Sequence, residues 1–146
     1  MADGVFNIAK GAAAEKVRDS ASVGIVMLLK ANEAEATLID RDELDAMLTE
    51  AGTIEAVFTN YARKTGLTFT LTVDDTNDRV DLDVADQTWT SAGNGANDTL
   101  TKLVTAYEES AADGGRIPFT HHDFVVTTDG SDLTAQFNAS GFYRAS

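Results

Sequence analysis

After Thr53 the apolar residues stop recurring with a helical period and begin to alternate, and the alternation continues to the end of the chain. Just before that point, Leu44, Met47, Leu48 and Ala51 fall at i, i+3, i+4 and i+7, one face of a helix. Beyond it, threonine and aromatic residues rise and good helix formers fall away, which is strand composition. Residues 79–84 show the pattern most plainly: Val80, Leu82 and Val84 share one face, and Asp81 and Asp83 share the other. A chain so patterned folds mainly as sheet, with its helices confined to the N-terminal third.

The spacing predicts a strand buried on both faces over residues 22–30, where Val23, Ile25 and Val26 interrupt an otherwise helix-compatible run. Further strands are predicted over residues 54–61, 67–73, 79–84, 87–91, 100–107 and 117–127, and over 133–143 with a break near Gly141. Turns fall at residues 91–98, 111–116 and Asp129-Gly130. Two helices are predicted. One covers residues 7–19 with Asn7 as N-cap; the other covers 40–52, with Asp40 and Glu43 as a capping box and Gly52 at C′, after a polar connection over 32–36. Short turns between successive strands favour antiparallel pairing. The expected fold is α+β, mainly β: an antiparallel β-sandwich or partly closed barrel with two short helices in the N-terminal third. No linker or repeat divides residues 1–146, so one domain is expected, with residues 1–6 as an arm.

Composition narrows the function. With 146 residues and 43% apolar content the chain can bury a core unaided. It has no cysteine, which removes disulfides, thiolate metal sites and thiol nucleophiles. Its longest apolar run, Gly24 to Leu29, is far short of the roughly 20 residues of a membrane span, so no membrane partner is expected. The net charge of −13 repels phosphate backbones, so no nucleic-acid partner is expected either, and Arg63-Lys64 is too small a basic pair to change that. An acid near the N-terminus, with no apolar stretch following, implies synthesis in a cytoplasm without export by a secretory signal.

No chemistry-bearing motif is complete. Residues 74–86 are rich in aspartate, but a calcium loop beginning at Asp74 needs glycine at its sixth position and glutamate at its twelfth, and has Arg79 and Ala85 there. An Asp/Asn-rich turn with carboxylates facing water is the expectation. His121 and His122 alternate on a strand and cannot easily share a metal, so a hydrogen-bonded structural histidine is expected, with Asp123 on the His121 face. Gly93-x-Gly95 lacks the rest of a dinucleotide fingerprint, and no Gly-x-Ser-x-Gly elbow occurs. Trp89 is expected in the core, although flanking threonines would also suit a stacking platform. No catalytic residue, cofactor or metal ligand is therefore assigned. Val5, Phe6 and Ile8 are the candidate partner contacts, because an apolar arm needs a surface to cover it.

The order of motifs nevertheless carries a resemblance. The N-terminal Ala2-Asp3-Gly4-Val5-Phe6-Asn7-Ile8-Ala9-Lys10-Gly11 is followed by Asn60-Tyr61-Ala62-Arg63-Lys64, Asp74-Asp75-Thr76-Asn77-Asp78-Arg79 and Thr88-Trp89-Thr90. Leu103 to Tyr107, Ile117-Pro118, Asp129-Gly130-Ser131-Asp132-Leu133-Thr134 and Gly141-Phe142-Tyr143-Arg144-Ala145-Ser146 complete the series. Taken in this order over nearly the whole chain, they resemble a family of small tailed-bacteriophage virion structural proteins that includes head-decoration, or minor capsid, proteins. Two places depart from the family pattern: Thr128 stands where a turn proline is expected, and Thr99-Leu100-Thr101-Lys102 is more polar than the expected strand. The resemblance implies a non-enzymatic protein of the virion that binds the major capsid protein and its own copies, as trimer or dimer, on the outer face of the head. A tail or neck component is the alternative. A displayed carbohydrate-binding module using Trp89 and the acids of residues 74–86 is a third expectation, from a different class.

Overall fold

The structure, a computed structural model, describes residues 4–6, 16, 23–77 and 79–145. The fold is α+β and mainly β, with every strand pair antiparallel. The expected helix over residues 7–19 and its Asn7 cap lie outside the described residues, apart from Lys16, which is helical.

The principal sheet takes its strands from distant parts of the sequence. Gly4–Val5 (β1) pairs with Arg116–Thr127 (β9), which pairs with Thr99–Glu108 (β8), which in turn pairs with Gly24–Ala31 (β2). The outer edge of β2 is shared: Ile54–Glu55 (β3) lies at one end and Lys64–Leu67 (β4) at the other. Thr70–Asp74 (β5), Arg79–Asp83 (β6) and Tyr143–Ala145 (β11) form a second sheet in the order β11-β6-β5, and Gln87–Trp89 (β7) pairs with Leu133–Ala135 (β10). Among the described residues, none of the sheets closes into a barrel.

β2 is central and buried, as its unbroken apolar sequence demands. Its alternation divides the core in two. Ile25, Met27 and Leu29 join Phe6, Val104, Phe119 and Leu82 in one cluster, while Val26 and Leu28 join Phe58, Trp89, Leu100 and Leu103 in the other. Burying each of the larger side chains contributes roughly 1.5–3 kcal/mol, so these two clusters supply the main driving force.

Two short helices cover the first cluster: Glu35–Leu38 (α1), inserting Leu38, and Leu44–Thr49 (α2), inserting Leu44 and Met47. This corrects the expectation of one helix over residues 40–52 after a polar connection. The Asp40 and Arg41 amides close the turn after α1, donating to Thr37 O and Leu38 O, and Arg41 is drawn back to Glu33 by a two-pronged ion pair at 2.9 and 2.7 Å. Asp40 therefore belongs to the preceding turn; α2 is capped at Glu43, whose side chain makes no capping hydrogen bond. Gly52 has a positive φ of 105°, but the helix ends at Thr49 with Glu50 as its C-cap, so Gly52 lies one residue beyond the C′ position expected for it.

The expected strand over residues 54–61 is mostly loop. The Ala56 N–H still donates to Leu28 O at 2.9 Å, but the Asp98 carboxylate takes the Val57 N–H at 2.6 Å and Asn60 adopts a left-handed φ of 70°, so the backbone leaves β2 after Ala56. The strand expected over 67–73 is two strands in different sheets, with buried Phe69 between them. The last expected strand is interrupted more widely than foreseen: residues 136–142 separate β10 from β11. Gly141 has φ 86°, and a Cβ there would overlap the Leu82 carbonyl oxygen.

Candidate functional site

The arm proposed as a contact surface is part of the molecule's own sheet. Gly4 and Val5 pair with His121 and Thr120, and the Phe6 N–H donates to Phe119 O at 3.2 Å. Phe6 is fully buried in the first cluster, which corrects its assignment as a free contact residue: its covering surface is supplied by its own chain. Ile8 lies outside the described residues, and of Val5 only the backbone is described.

Asp74, Asp81, Asp83 and Asp86, of the aspartates over residues 74–86, are structural fasteners. Asp74 accepts hydrogen bonds from the Asn77 side chain at 2.8 Å and from the Thr76 and Asn77 amides, which holds its carboxyl below the usual range. Asp81 lies between Arg144, at 2.7 Å, and Arg79, at 2.9 Å, and is lowered by the Arg144 hydrogen bond above all. Asp83 and Asp86 accept the Val84 and Phe137 amides. Asp78 is outside the described residues, and among those described no group of three or more His, Cys, Asp or Glu could hold a metal ion.

Trp89 is 2% exposed; its Nε1 donates to Ala62 O at 2.8 Å, and Lys64 Nζ lies 5.2 Å from the ring centroid. The indole is a core residue with its one donor satisfied, and it offers no open face for stacking a ligand.

The least foreseeable group is Lys102. It is 3% exposed in mid-strand, and its Nζ binds Asp123, its ladder partner, at 2.6 Å and also Glu35 of α1. Burial works against the ammonium, but the hydrogen bonds to Asp123 and Glu35 outweigh it and hold the group above the ordinary lysine value. The triad joins α1 to the middle of the sheet. The polarity of residues 99–102 was its only trace in the sequence.

His121 and His122 point to opposite faces, as alternation requires. His122 Nε2 lies 2.9 Å from Thr120 Oγ1 and opens on a surface groove shared with Phe124, Gln136, Phe137, Asn138 and Phe142. His121 is buried, and neither of its nitrogens has a hydrogen-bond partner, so the expected hydrogen-bonded histidine is His122 and not His121. Asp123, on its face, is engaged by Lys102.

The bases are consumed internally. Lys10 and Arg18 lie outside the described residues; of the other nine, eight sit within ion-pair distance of a carboxylate, and Lys64 donates to Thr88 O. Arg63 is gripped at both ends, by Glu55 at 2.6 Å and Asp113 at 2.6 Å. Among the described residues, the large apolar side chains that face water are Ile54, Val57, Val73 and Val125, the last 79% exposed.

No protein-family model matches the chain, and neither a curated protein nor a solved structure matches it.

Proposed function

We propose that this chain is a bacteriophage capsid decoration protein: a binding subunit, not a catalyst, that attaches to the outer surface of the assembled head and stabilises it. One observation carries the reading. The ordered motifs that resemble the virion family fall on structure-forming positions here: Asn60 in its left-handed turn, Asp74 closing the hairpin, Trp89 in the core, and Gly141 against Leu82. A family defined by such residues maintains a shape and a surface, as decoration requires. Both departures from the family pattern also have structural roles. Thr128 gives its N–H to Asp98 O and receives the Asp98 N–H on Oγ1, two bonds that a proline and its lost hydroxyl would forgo, and Lys102 joins Glu35 to Asp123.

A subunit that binds only the assembled lattice stabilises it by mass action, and more so when a symmetric trimer or dimer grips neighbouring capsomers. Ile54, Val57, Val73 and Val125 are, among the described residues, the exposed large apolar positions available for that grip. Gold-labelled antibody on intact virions tests the assignment: label over the head, at a copy number comparable to that of the major capsid protein, is expected. Label confined to the tail or neck overturns it in favour of the second reading, a tail component. That alternative draws support from β5, an exposed edge strand carrying Val73, which suits strand pairing between subunits.

A further inference from the structure

His121 is 2% exposed, and neither Nδ1 nor Nε2 is hydrogen-bonded. Buried polar atoms in folded proteins are nearly always paired, so an imidazole left with two unmet nitrogens needs a physical account. What lies over it is β1. Gly4 stands opposite His121 in the ladder, and a Cβ there would overlap Nε2 and come within 2.8 Å of Cε1. Phe6 meets the same ring edge-on, with centroids 5.5 Å apart and planes at 84°. Only glycine lets the backbone cross the imidazole so closely. Among the described residues, β1 is otherwise attached by a two-residue ladder, one amide bond from Phe6 to Phe119, and the Phe6 ring itself.

We propose that His121 is an acid-operated latch for the N-terminal strand. Neutral, it is the apolar seat on which β1 lies; protonated, it moves to water, and β1 leaves the edge of the sheet, uncovering Phe6 and the outer edge of β9. An imidazolium has two N–H donors, and the seat offers neither an acceptor. Confining an unpaired charge there opposes the few contacts that hold a two-residue strand. The charged and titratable groups facing the ring do not remove the conflict. Lys102 on β8 and His122 beside it on β9 disfavour a second positive charge; Glu35 on α1 and Asp123 on β9 favour it, but both carboxylates already bind Lys102. Burial is the leading influence and holds the imidazole below its ordinary value.

The sign follows by linkage. Because the docked state holds its proton less tightly than the undocked one, docking is at full strength above about pH 6.5, the free histidine value. It weakens about tenfold per pH unit as pH falls below that, until the docked-state value is reached. The inference does not depend on the capsid reading. Hydrogen exchange at the Phe6 amide from pH 8 to pH 5, normalised to the rates of an unstructured chain at each pH, tests it on the full chain. Protection should stay level to about pH 6.5 and then fall, by at most about tenfold per unit, whereas His121→Phe should hold it level throughout. Level protection in the unmodified protein, or an undiminished fall in the variant, overturns the latch. Should His121→Phe fail to fold, the NMR titration of the His121 ring decides: a midpoint below 6.5, moving together with the Phe6 amide signal, is expected. A ring that titrates while the Phe6 signal stays fixed refutes the proposal.

Discussion

Single side chains reveal how tightly this acidic chain manages its charge. Lys102 is closed off from water, but its partners Glu35 and Asp123 keep 43% and 33% of their side-chain surface exposed. The ammonium depends on the carboxylates more than they depend on it. Replacing both partners together, Glu35→Gln with Asp123→Asn, strands a buried cation and should cost about 3 kcal/mol of stability. Lys102→Met, which fills the same space and removes the buried charge itself, should cost clearly less. Urea denaturation at pH 7 separates the two outcomes; equal losses would mean that the triad is held by packing alone. Neither Lys102 nor His121 could be placed from sequence. A lysine in an alternating strand reads as a solvent-facing residue, and its burial depends on Glu35, 67 positions away in the chain. The empty surroundings of His121 depend on Gly4 and Phe6, which are equally remote.

Among the elements, legibility tracked locality. β2 and β6 were readable because each carries its pattern in its own residues, a continuous apolar run in the first and strict alternation in the second. The segment over residues 54–61 was not, because its ladder ends where Asp98, from a distant loop, captures an amide. α2 was recognised by its apolar face but placed too early, since the residues that looked like its cap belong to the turn behind α1. That leaves a correctable weakness. Glu43 has the extended backbone of an N-cap, φ −139° and ψ 153°, and no side-chain bond to the exposed amides of the first turn. Glu43→Ser supplies a short hydroxyl acceptor and should raise stability by about 0.5–1 kcal/mol, read as a higher thermal midpoint. No gain would mean that those amides already have adequate partners.

At the scale of the whole molecule, the balance of charge sets the response to acid. Asp74, Asp81, Asp113 and Asp129 are all held below the ordinary carboxylate value by hydrogen bonds, those of Asp113 coming from Arg63 and then Arg116. Their folded-state values lie below their unfolded ones. The stability they supply is therefore complete above about pH 4 and is lost as pH falls through the lowered values. Urea midpoints measured from pH 7 to pH 2 should show a steep global decline below pH 4. A flat profile there would show that these bonds contribute nothing to folding.

The two apolar clusters stand on opposite sides of the same pair of strands, β2 and β8. Each is thus the other's wall, and heat that loosens one strips the backing from its neighbour. Melting should accordingly run through the molecule in one cooperative step, with no half-folded form left standing on either side.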